Sequence, residues 1–456
     1  MSPVEVVESC LNRIEQINPV INAICTLDAE RALISARQAE DDLVAGRSIS
    51  SLHGIPVGIK DITETEGLLT TYGSPLYKDF VPAKDAEIVR RLKDAGAIVL
   101  GKTNTPEFAT GGITDNELFG KTCNPWNTDL ISGGSTGGGA AALAAGMVHL
   151  ASGTDHGGSL RQPASLCGVV GLRPSVGLVP SEPTNHYWQT MSVAGPMART
   201  ASDVALMLDA ISGISSIHPL STEPVQKITA QSVANFAGDN RSYAYISSYC
   251  GMGIDHEIDE ICREGALALR SSGASVEEIE LDLSEGRDIF IKLRGQMMVT
   301  SQFEHLGELD FLGENLSGNI RLGLKQSVTD LAEAEIKRGH LLEKLIPLFD
   351  RYDAILTPCV PVHAFPISQK YPSSIGGQVL ETYIDWLAPT FVMSLFGLPA
   401  ASVPVGLSSK NMPIGLQIVG KRLNETLVLG TAKLIQDCRP IGTCYEFNQK
   451  LAADLN

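Results

Sequence analysis

Residues 133–173 read GGSTGGGAAALAAGMVHLASGTDHGGSLRQPASLCGVVGLR and are the most informative part of the chain. Two serines lie among glycines here, Ser135 in GGSTG and Ser159 in GGSLR, with a run of small apolar residues, Ala140–Ala151, between them. Glycine loses more backbone freedom on folding than any other residue, so this density suits backbone that approaches another group closely or points N–H groups at it. Glycine density alone leaves two interpretations open: a buried site of hydroxyl groups, or a purely structural set of tight turns.

Three other kinds of loop fit these residues less well. No lysine follows the glycines in the P-loop pattern, and no G-x-G-x-x-G lies between a strand and a helix, so a phosphate loop is not indicated. Neither serine lies in G-x-S-x-G, so a nucleophile elbow is not indicated. A flexible linker is disfavoured by the apolar residues of the stretch, which are Leu143, Met147, Val148, Leu150, Cys167, Val169, Val170 and Leu172.

The stretch resembles the signature of the amidase signature family of serine hydrolases, whose members carry G-G-S-S-G followed by D-x-G-G-S-[IV]-R. The two serines are 24 residues apart, which is the family interval, and Leu160 stands where isoleucine or valine is usual. The family's lysine lies in G-[IV]-K-D, which Gly58–Asp61 supplies as GIKD. Further matches in family order are Gly101–Asn104, Asn124–Trp126, Gly195–Ala198 and Pro413–Gln417.

The pattern and the resemblance both point to an α/β fold. A strand at 53–62, a helix at 86–93 and a strand at 97–101, with short links, indicate a parallel βαβ unit. The resemblance implies a single large domain over residues 1–456, with a mixed, mostly parallel, twisted central sheet covered by helices on both faces. Its expected parts are N-terminal helices at 1–45, the catalytic signature core at 50–212, a variable, mostly helical excursion at 213–350, and the C-terminal part of the core sheet at 351–456.

The resemblance implies a role for three side chains: Ser159 as nucleophile, Ser135 as proton relay and Lys60 as base. A free lysine has a pKa of ~10.4 and is charged at neutral pH. Burial in an apolar strand lowers that pKa and makes an uncharged amine available, whereas a lysine on the solvent face of an edge strand is the plainer alternative. The family pattern also implies a cis peptide between Gly134 and Ser135 and a retained hydroxyl at Thr136.

The backbone around Ser159 is expected to stabilise the oxyanion of the reaction. By resemblance the oxyanion hole consists of the N–H groups of His156, Gly157, Gly158 and Ser159. Asp155 and Arg161 are expected to support this backbone rather than to react, as buried pairs usually do. For His156 three interpretations stay open: narrowing the acyl pocket, contacting substrate, or lying on the surface. A Ser-His-Asp triad through His156 is disfavoured, since a residue three positions back in a turn is poorly placed to reach Ser159.

Composition excludes several classes of function. A formal charge of −17 argues against binding the phosphate backbone of nucleic acids. The nine cysteines are scattered and show no metal-ligand spacing, so we expect reduced thiols and no metal or other cofactor. No signal peptide and no apolar run approaching the ~20 residues of a spanning helix is found, so we predict a cytoplasmic protein without membrane contact.

From the resemblance we predict an amidase that hydrolyses a small or medium carboxamide through an acyl-enzyme, releasing a carboxylate and ammonia or an amine. The first alternative is the glutamine-hydrolysing A subunit of a tRNA-dependent amidotransferase, but Pro183–Trp188 is nearer to stand-alone amidases than to that subunit's Arg-Tyr-Gly-Leu type segment. The second alternative is a catalytically inactive scaffold. The presence of all three signature residues argues against it. The expected partner is a small amide, and a homodimer is left open. Candidate pocket aromatics are Tyr187, Trp188 and Trp386, although large aromatics more often belong to the core.

Overall fold

The computed structural model describes residues 1–47, 49–181, 183–442 and 444. Its strands are β1 (Ile24–Leu27), β2 (Pro56–Lys60), β3 (Ile98–Thr103), β4 (Cys123–Asn124), β5 (Asn127–Ile131), β6 (Leu150–Asp155), β7 (Val170–Arg173), β8 (Val193–Ala198), β9 (Ser242–Tyr245), β10 (Ser275–Glu278), β11 (Ala354–Pro358), β12 (Ser374–Ile375), β13 (Gln378–Val379), β14 (Ala400–Leu407) and β15 (Pro413–Gly420). Its α-helices are α1 (Pro3–Ile21), α2 (Ala29–Val44), α3 (Glu87–Asp94), α4 (Gly137–Ala144), α5 (Arg161–Cys167), α6 (Ala201–Ile211), α7 (Ala230–Ala234), α8 (His256–Ala268), α9 (Gly286–Ser301), α10 (Glu314–Leu324), α11 (Val328–Leu345), α12 (Ala388–Ser394) and α13 (Glu425–Cys438).

One 11-stranded sheet forms the centre of the single domain, with the order β1-β3-β2-β6-β8-β7-β14-β15-β11-β9-β10. Alternate residues of a strand point to opposite faces of a sheet. In β11, Ala354 and Leu356 accordingly pack into one apolar core, and Ile355 packs into another on the opposite face. Helices including α6, α8 and α13 cover the first face and helices including α4, α5 and α12 lie on the other, as the predicted fold class requires.

The sheet is mixed, as predicted, but parallel pairing does not predominate. Four neighbouring pairs are parallel: β2–β3, β2–β6, β9–β11 and β9–β10. The other six neighbouring pairs are antiparallel. Parallel neighbours need a crossover of a dozen or more residues, whereas β14 and β15 are joined by a short turn at 408–412. The parallel βαβ unit β2-α3-β3 is confirmed, and the expectation of a mostly parallel sheet is corrected.

The N-terminal helices follow their capping signals. The Ser2 hydroxyl accepts from the Glu5 N–H and the Glu5 carboxylate accepts from the Ser2 N–H, which together form a capping box. Thr200 caps α6 by accepting from the Asp203 N–H. The run Ala140–Ala151 is not one helix, because α4 ends at Ala144 and the last two residues of the run open β6.

The region 213–350 is more than an excursion beside the sheet. It contains the helices α7 to α11. It also contributes the strands β9 and β10. β9 pairs in parallel with β11 of the C-terminal core, and β10 pairs in parallel with β9. The region therefore completes one edge of the central sheet.

The last expected part, 351–456, returns to the sheet as β11, β14 and β15 and closes with α13. Its residues 443 and 445–456 lie outside the described ranges. None of the helices within the described ranges combines the length and the hydropathy that crossing a bilayer requires.

Candidate active site

Lys60 is the last residue of β2, and its side chain is fully buried. Its Nζ lies 2.7 Å from the Ser135 Oγ, 3.0 Å from the Thr136 Oγ1 and 2.9 Å from the Thr154 Oγ1. All three partners are hydroxyls, and no carboxylate of the described residues forms a salt bridge with this amine. The alternative of a lysine on the solvent face is thus wrong.

The surroundings of Lys60 favour the uncharged amine. Burial is the main cause that lowers its pKa from 10.5 to about 7, and the charge of Asp155 opposes this only partly. An uncharged amine has two N–H groups and one lone pair, so it can donate to two of the hydroxyls and accept a proton from the third. At neutral pH the group is poised to take and return a proton.

Ser135 lies just before α4, with its backbone held close to neighbouring loops. The Gly134–Ser135 peptide bond is cis, as the resemblance implied. A Cβ on Gly134 would meet the Ile113 N–H nitrogen at 2.8 Å, so this position has room only for glycine. The Ser135 side chain contacts Lys60 on one side and the wall of a cavity on the other.

Ser159 and Ser135 line the same cavity, which has a volume of about 210 Å³. Lys60 lies behind Ser135 and is not part of the cavity wall. No hydrogen bond joins the Ser159 hydroxyl to another side chain within the described ranges, and this includes Ser135. The predicted residues are thus brought together around one pocket, with the nucleophile candidate turned toward it.

The four backbone amides predicted to form the oxyanion hole are not equivalent. The Gly158 N–H donates to the Asp155 Oδ1 at 2.8 Å, so it is not free for an oxyanion and that part of the prediction is corrected. The Gly157 carbonyl accepts from Gln162 and Thr390, which fixes the same peptide from its other side. Within the described part of the chain the N–H groups of His156, Gly157 and Ser159 have no hydrogen-bond partner. These three remain candidates.

Asp155 is the centre of a fully buried charge cluster. Arg161 contacts both of its carboxylate oxygens at 2.9 Å, and Arg173 contacts one of them at 3.2 Å and its backbone carbonyl at 2.7 Å. Although burial works to raise the pKa of the Asp155 carboxyl, the two guanidinium groups hold it well below its usual range. The cluster also holds the Gly158 and Leu160 N–H groups, so it fixes the loop that carries Ser159.

His156 lies in the cavity wall rather than on the surface. Its ring packs 5.3 Å from the ring of Phe290, and both ring nitrogens are buried without a hydrogen-bond partner in the described residues. Burial, helped by the charges of Arg294 and Arg173, lowers the pKa of His156 to about 3, so the ring is neutral. Neither ring nitrogen is hydrogen-bonded to Ser159, which leaves a triad through His156 without support.

The sequence analysis missed several residues of the site, among them Thr154, Arg173, Phe290 and Arg294. Thr154 and Arg173 lie within or next to the signature, and Phe290 and Arg294 lie on α9, in the region where no chemistry was recognised. For the two arginines, the sequence held a signal, which is a charged residue within an apolar helix or strand. Arg173 ends an apolar strand, and Arg294 interrupts the apolar stripe of α9.

The three aromatic candidates do not line this cavity. Trp386 is fully buried, its ring lying close to Gly112 and Phe365. Trp188 is 71% exposed, and Tyr187 packs against His218. The aromatic walls of the cavity are instead Phe108, Phe290, Tyr383 and Phe391.

Known proteins are similar to this chain in sequence and in fold. The amidase family model matches residues 5–429. The acylamidase of Rhodococcus erythropolis is 34% identical, over 96% of this chain and 93% of its own. The A subunit of the glutamyl-tRNA(Gln) amidotransferase of Geotalea daltonii is 35% identical, over 95% of this chain and 93% of its own. The solved structure of a bacterial aryl acylamidase belonging to the amidase signature enzymes family superposes with a TM-score of 0.90 at 27% identity, covering 98% of this chain and 95% of that one.

Proposed function

This chain belongs to the amidase signature family and is an amide-hydrolysing enzyme, and from that premise we propose that it cleaves a small or medium carboxamide through Lys60, Ser135 and Ser159. The observation that carries the proposal is the fully buried Lys60 amine, 2.7 Å from the Ser135 hydroxyl, which in turn borders the cavity next to Ser159. Three hydroxyl partners and a lowered pKa make that amine a base at neutral pH.

In the proposed reaction one proton passes from Ser159 through Ser135 to Lys60 and later returns along the same path. Uncharged Lys60 takes the proton of Ser135 as Ser135 takes that of Ser159, and the Ser159 oxygen attacks the amide carbon. The N–H groups of His156, Gly157 and Ser159, unpartnered in the described residues, are the donors that stabilise the tetrahedral oxyanion. The C–N bond then breaks as the proton returns through Ser135 to the leaving nitrogen, giving an acyl-enzyme and ammonia or an amine. Water attacks the ester by the same relay and releases the carboxylate.

The direct test uses Lys60→Met, Ser135→Ala and Ser159→Ala, with 4-nitroacetanilide as a chromogenic probe. Each variant is expected to lose about 10³-fold or more in kcat while its thermal unfolding transition is retained, because residues of one relay fail as a unit. A fluorophosphonate is expected to label Ser159, as located by peptide mass spectrometry. Ser192→Ala, which removes another serine of the cavity wall, serves as the matched control and keeps its activity. Near-normal turnover in folded Ser159→Ala would end the proposal.

One observation also favours a second candidate function. The Geotalea daltonii relative, at 35% identity over almost the whole chain, is the A subunit of a glutamyl-tRNA(Gln) amidotransferase. In such a role the same site would hydrolyse glutamine for a partner. We rank it second because the acylamidase relative is similar over the same extent, and because the reaction derived above uses residues of this chain alone.

A further inference from the structure

Three arginines are buried in the described part of the chain, and one of them differs from the others in its partners. Arg161 and Arg173 both contact the Asp155 carboxylate. Arg294, whose exposed fraction is 8%, forms no salt bridge with any carboxylate of the described residues. A buried cation without a counter-ion is costly, because desolvation is not offset by an opposite charge. The absence of an acidic partner for Arg294 among the described residues is unusual in this chain, because its 52 acidic residues outnumber its 35 basic ones.

The Arg294 guanidinium is held in place by neutral groups. It donates to the Asn319 Oδ1 and to the Tyr383 hydroxyl, the latter at 2.7 Å, and it lies 5.8 Å from the centre of the Tyr383 ring. A guanidinium has five N–H groups, so two such bonds leave three without a partner in the described residues. The side chain is oriented but its charge is not neutralised, as expected of a preformed site for an anion.

Arg294 also faces the catalytic cavity. It follows Phe290 on α9 by one helical turn, about 6 Å along the axis. Phe290 itself lies against the loop of the nucleophile, since a Cβ on Gly157 would be 2.9 Å from its ring and His156 packs on it. The remaining residues of α9 that line the cavity include Met297 and Met298, which carry no charge. The guanidinium is therefore the one cationic group of the cavity wall in the described ranges.

We propose that Arg294 binds a carboxylate carried by the substrate, so that this amidase acts on anionic carboxamides. The planar fork of the guanidinium matches a carboxylate in two parallel hydrogen bonds, and a single cation among neutral donors suits one negative charge. Neutral His156, with both ring nitrogens unpartnered in the described residues, lines the same cavity as Arg294 and can donate to or accept from the same ligand. The proposal rests on the proposed function, because it takes Ser159 as the reacting group.

The carboxylate can lie on the acyl part or on the amine part, and two substrate pairs separate these cases. N-succinyl-4-nitroaniline is compared with neutral N-pentanoyl-4-nitroaniline, and 4-acetamidobenzoate with neutral 4-acetamidoacetophenone. The wild-type enzyme is expected to prefer the acid in one pair by about 10- to 100-fold in kcat/KM, as a charge-assisted hydrogen-bonded pair provides. Arg294→Met is expected to abolish this preference with little change for the neutral partner, and Arg294→Lys to restore part of it. Arg263→Met, which removes a surface arginine of α8, is the matched control.

Equal kcat/KM for acid and neutral compound in both pairs overturns the proposal, as does an equal loss on both compounds in folded Arg294→Met. Calorimetric binding of succinate and 4-aminobenzoate to the wild type and to Arg294→Lys gives a readout without turnover, and binding unaffected by the substitution also overturns it. Failure of the proposed function looks different, because Ser159 would then resist fluorophosphonate and neither acid nor neutral anilide would be cleaved. Where Arg294→Met does not fold, the binding of succinate and 4-aminobenzoate to Arg294→Lys decides the question.

Discussion

Among the described residues, two lysines of the central sheet are fully buried, Lys60 and Lys102. Their hydrogen-bond partners indicate a structural role for one and a chemical role for the other. Lys102 contacts the Thr63 carbonyl and the hydroxyls of Thr65 and Thr70. Burial lowers the pKa of Lys102 to about 8, and the nearby charge of Asp61 opposes that shift. None of its three contact residues lines the catalytic cavity. Lys60, next to Ser135, is therefore the buried amine that can serve the reaction.

The ionisation of Lys60 predicts how the rate depends on pH. Its pKa in the folded protein is about 7, below the ordinary 10.5, so the active uncharged form is present above about pH 7 and is lost as pH falls through that value. We expect kcat/KM on a non-ionisable amide to be level above pH ~8 and to fall about tenfold per pH unit below ~6. Initial rates between pH 5 and 9.5 measure this, and a profile that rises only near pH 10 contradicts it.

Thr154→Val provides the specific control for this profile. Its hydroxyl accepts from the Lys60 amine at 2.9 Å and so stabilises the charged form. Without it the ammonium is less stable, so the acidic limb should move to lower pH. Ser192→Ala, in the same cavity wall but without contact to Lys60, should leave the limb where it is. If neither substitution shifts the acidic part of the pH profile, that part reflects the ionisation of a group other than Lys60.

At the scale of single elements, α4 shows why the signature is so rich in glycine. A Cβ on Gly138 would lie 2.4 Å from the Asn104 nitrogen and 2.7 Å from the Ala23 carbonyl oxygen, both of them backbone atoms that cannot turn aside. The Gly138 N–H also donates to the Asn104 carbonyl at 3.2 Å. The helix that follows Ser135 is thus packed directly on the backbone that leads out of β3.

Two helical glycines therefore give opposite predictions. Gly138→Ala should destabilise the protein by about 1–3 kcal/mol or more, since overpacking against backbone cannot relax. Gly339→Ala in α11, where nothing lies within 4 Å of the new Cβ, should stabilise by about 0.5–1 kcal/mol through helix propensity. Thermal unfolding midpoints of both variants test the pair, and a Gly138→Ala protein as stable as the wild type would contradict the packing argument.

Elements whose signals are local could be predicted from the sequence, and others could not. Ser2 and Glu5 at the start of α1, and Thr200 at the start of α6, act through contacts three residues apart, which a linear pattern contains. β9 (Ser242–Tyr245) is only four residues long and is a strand because it pairs with β11 and β10 on either side. Its sequence is too short to show a periodic hydrophobic pattern that would predict a strand. The end of α4 cannot be read from the sequence for a related reason, since the run of small apolar residues continues past the helix end into β6.

At the scale of the whole molecule, the cavity combines segments that are far apart in sequence. The signature supplies Ser135 and Ser159, α9 supplies Phe290 and Arg294, and the segment before α12 supplies Tyr383. The two serines proposed to react were predictable as neighbours because their spacing within one family motif is fixed. The residues that line the rest of the cavity were not, because their placement depends on how α9 and the segment before α12 pack on the core.

The two candidate functions differ in whether a partner is needed. A chain with a net charge of −17 is repelled by nucleic acid, and the acylamidase relative shares as much of this sequence as the amidotransferase relative does. We therefore expect the purified chain alone to hydrolyse a simple carboxamide, and unfractionated bacterial tRNA at 50 mM salt to change its kcat/KM less than about twofold.

Heparin at the same charge concentration is the control for non-specific polyanion effects in this assay, and ammonia release from glutamine is measured in parallel. If tRNA, or a larger protein that copurifies with the chain, raises glutamine hydrolysis tenfold or more while heparin does not, the amidotransferase assignment takes precedence. The active site by itself serves either function, because Lys60, Ser135 and Ser159 would release ammonia from glutamine by the same steps. The two candidate functions therefore differ in whether the chain acts alone on a free substrate or as a subunit of a complex. Comparing the rate of hydrolysis with and without tRNA distinguishes them.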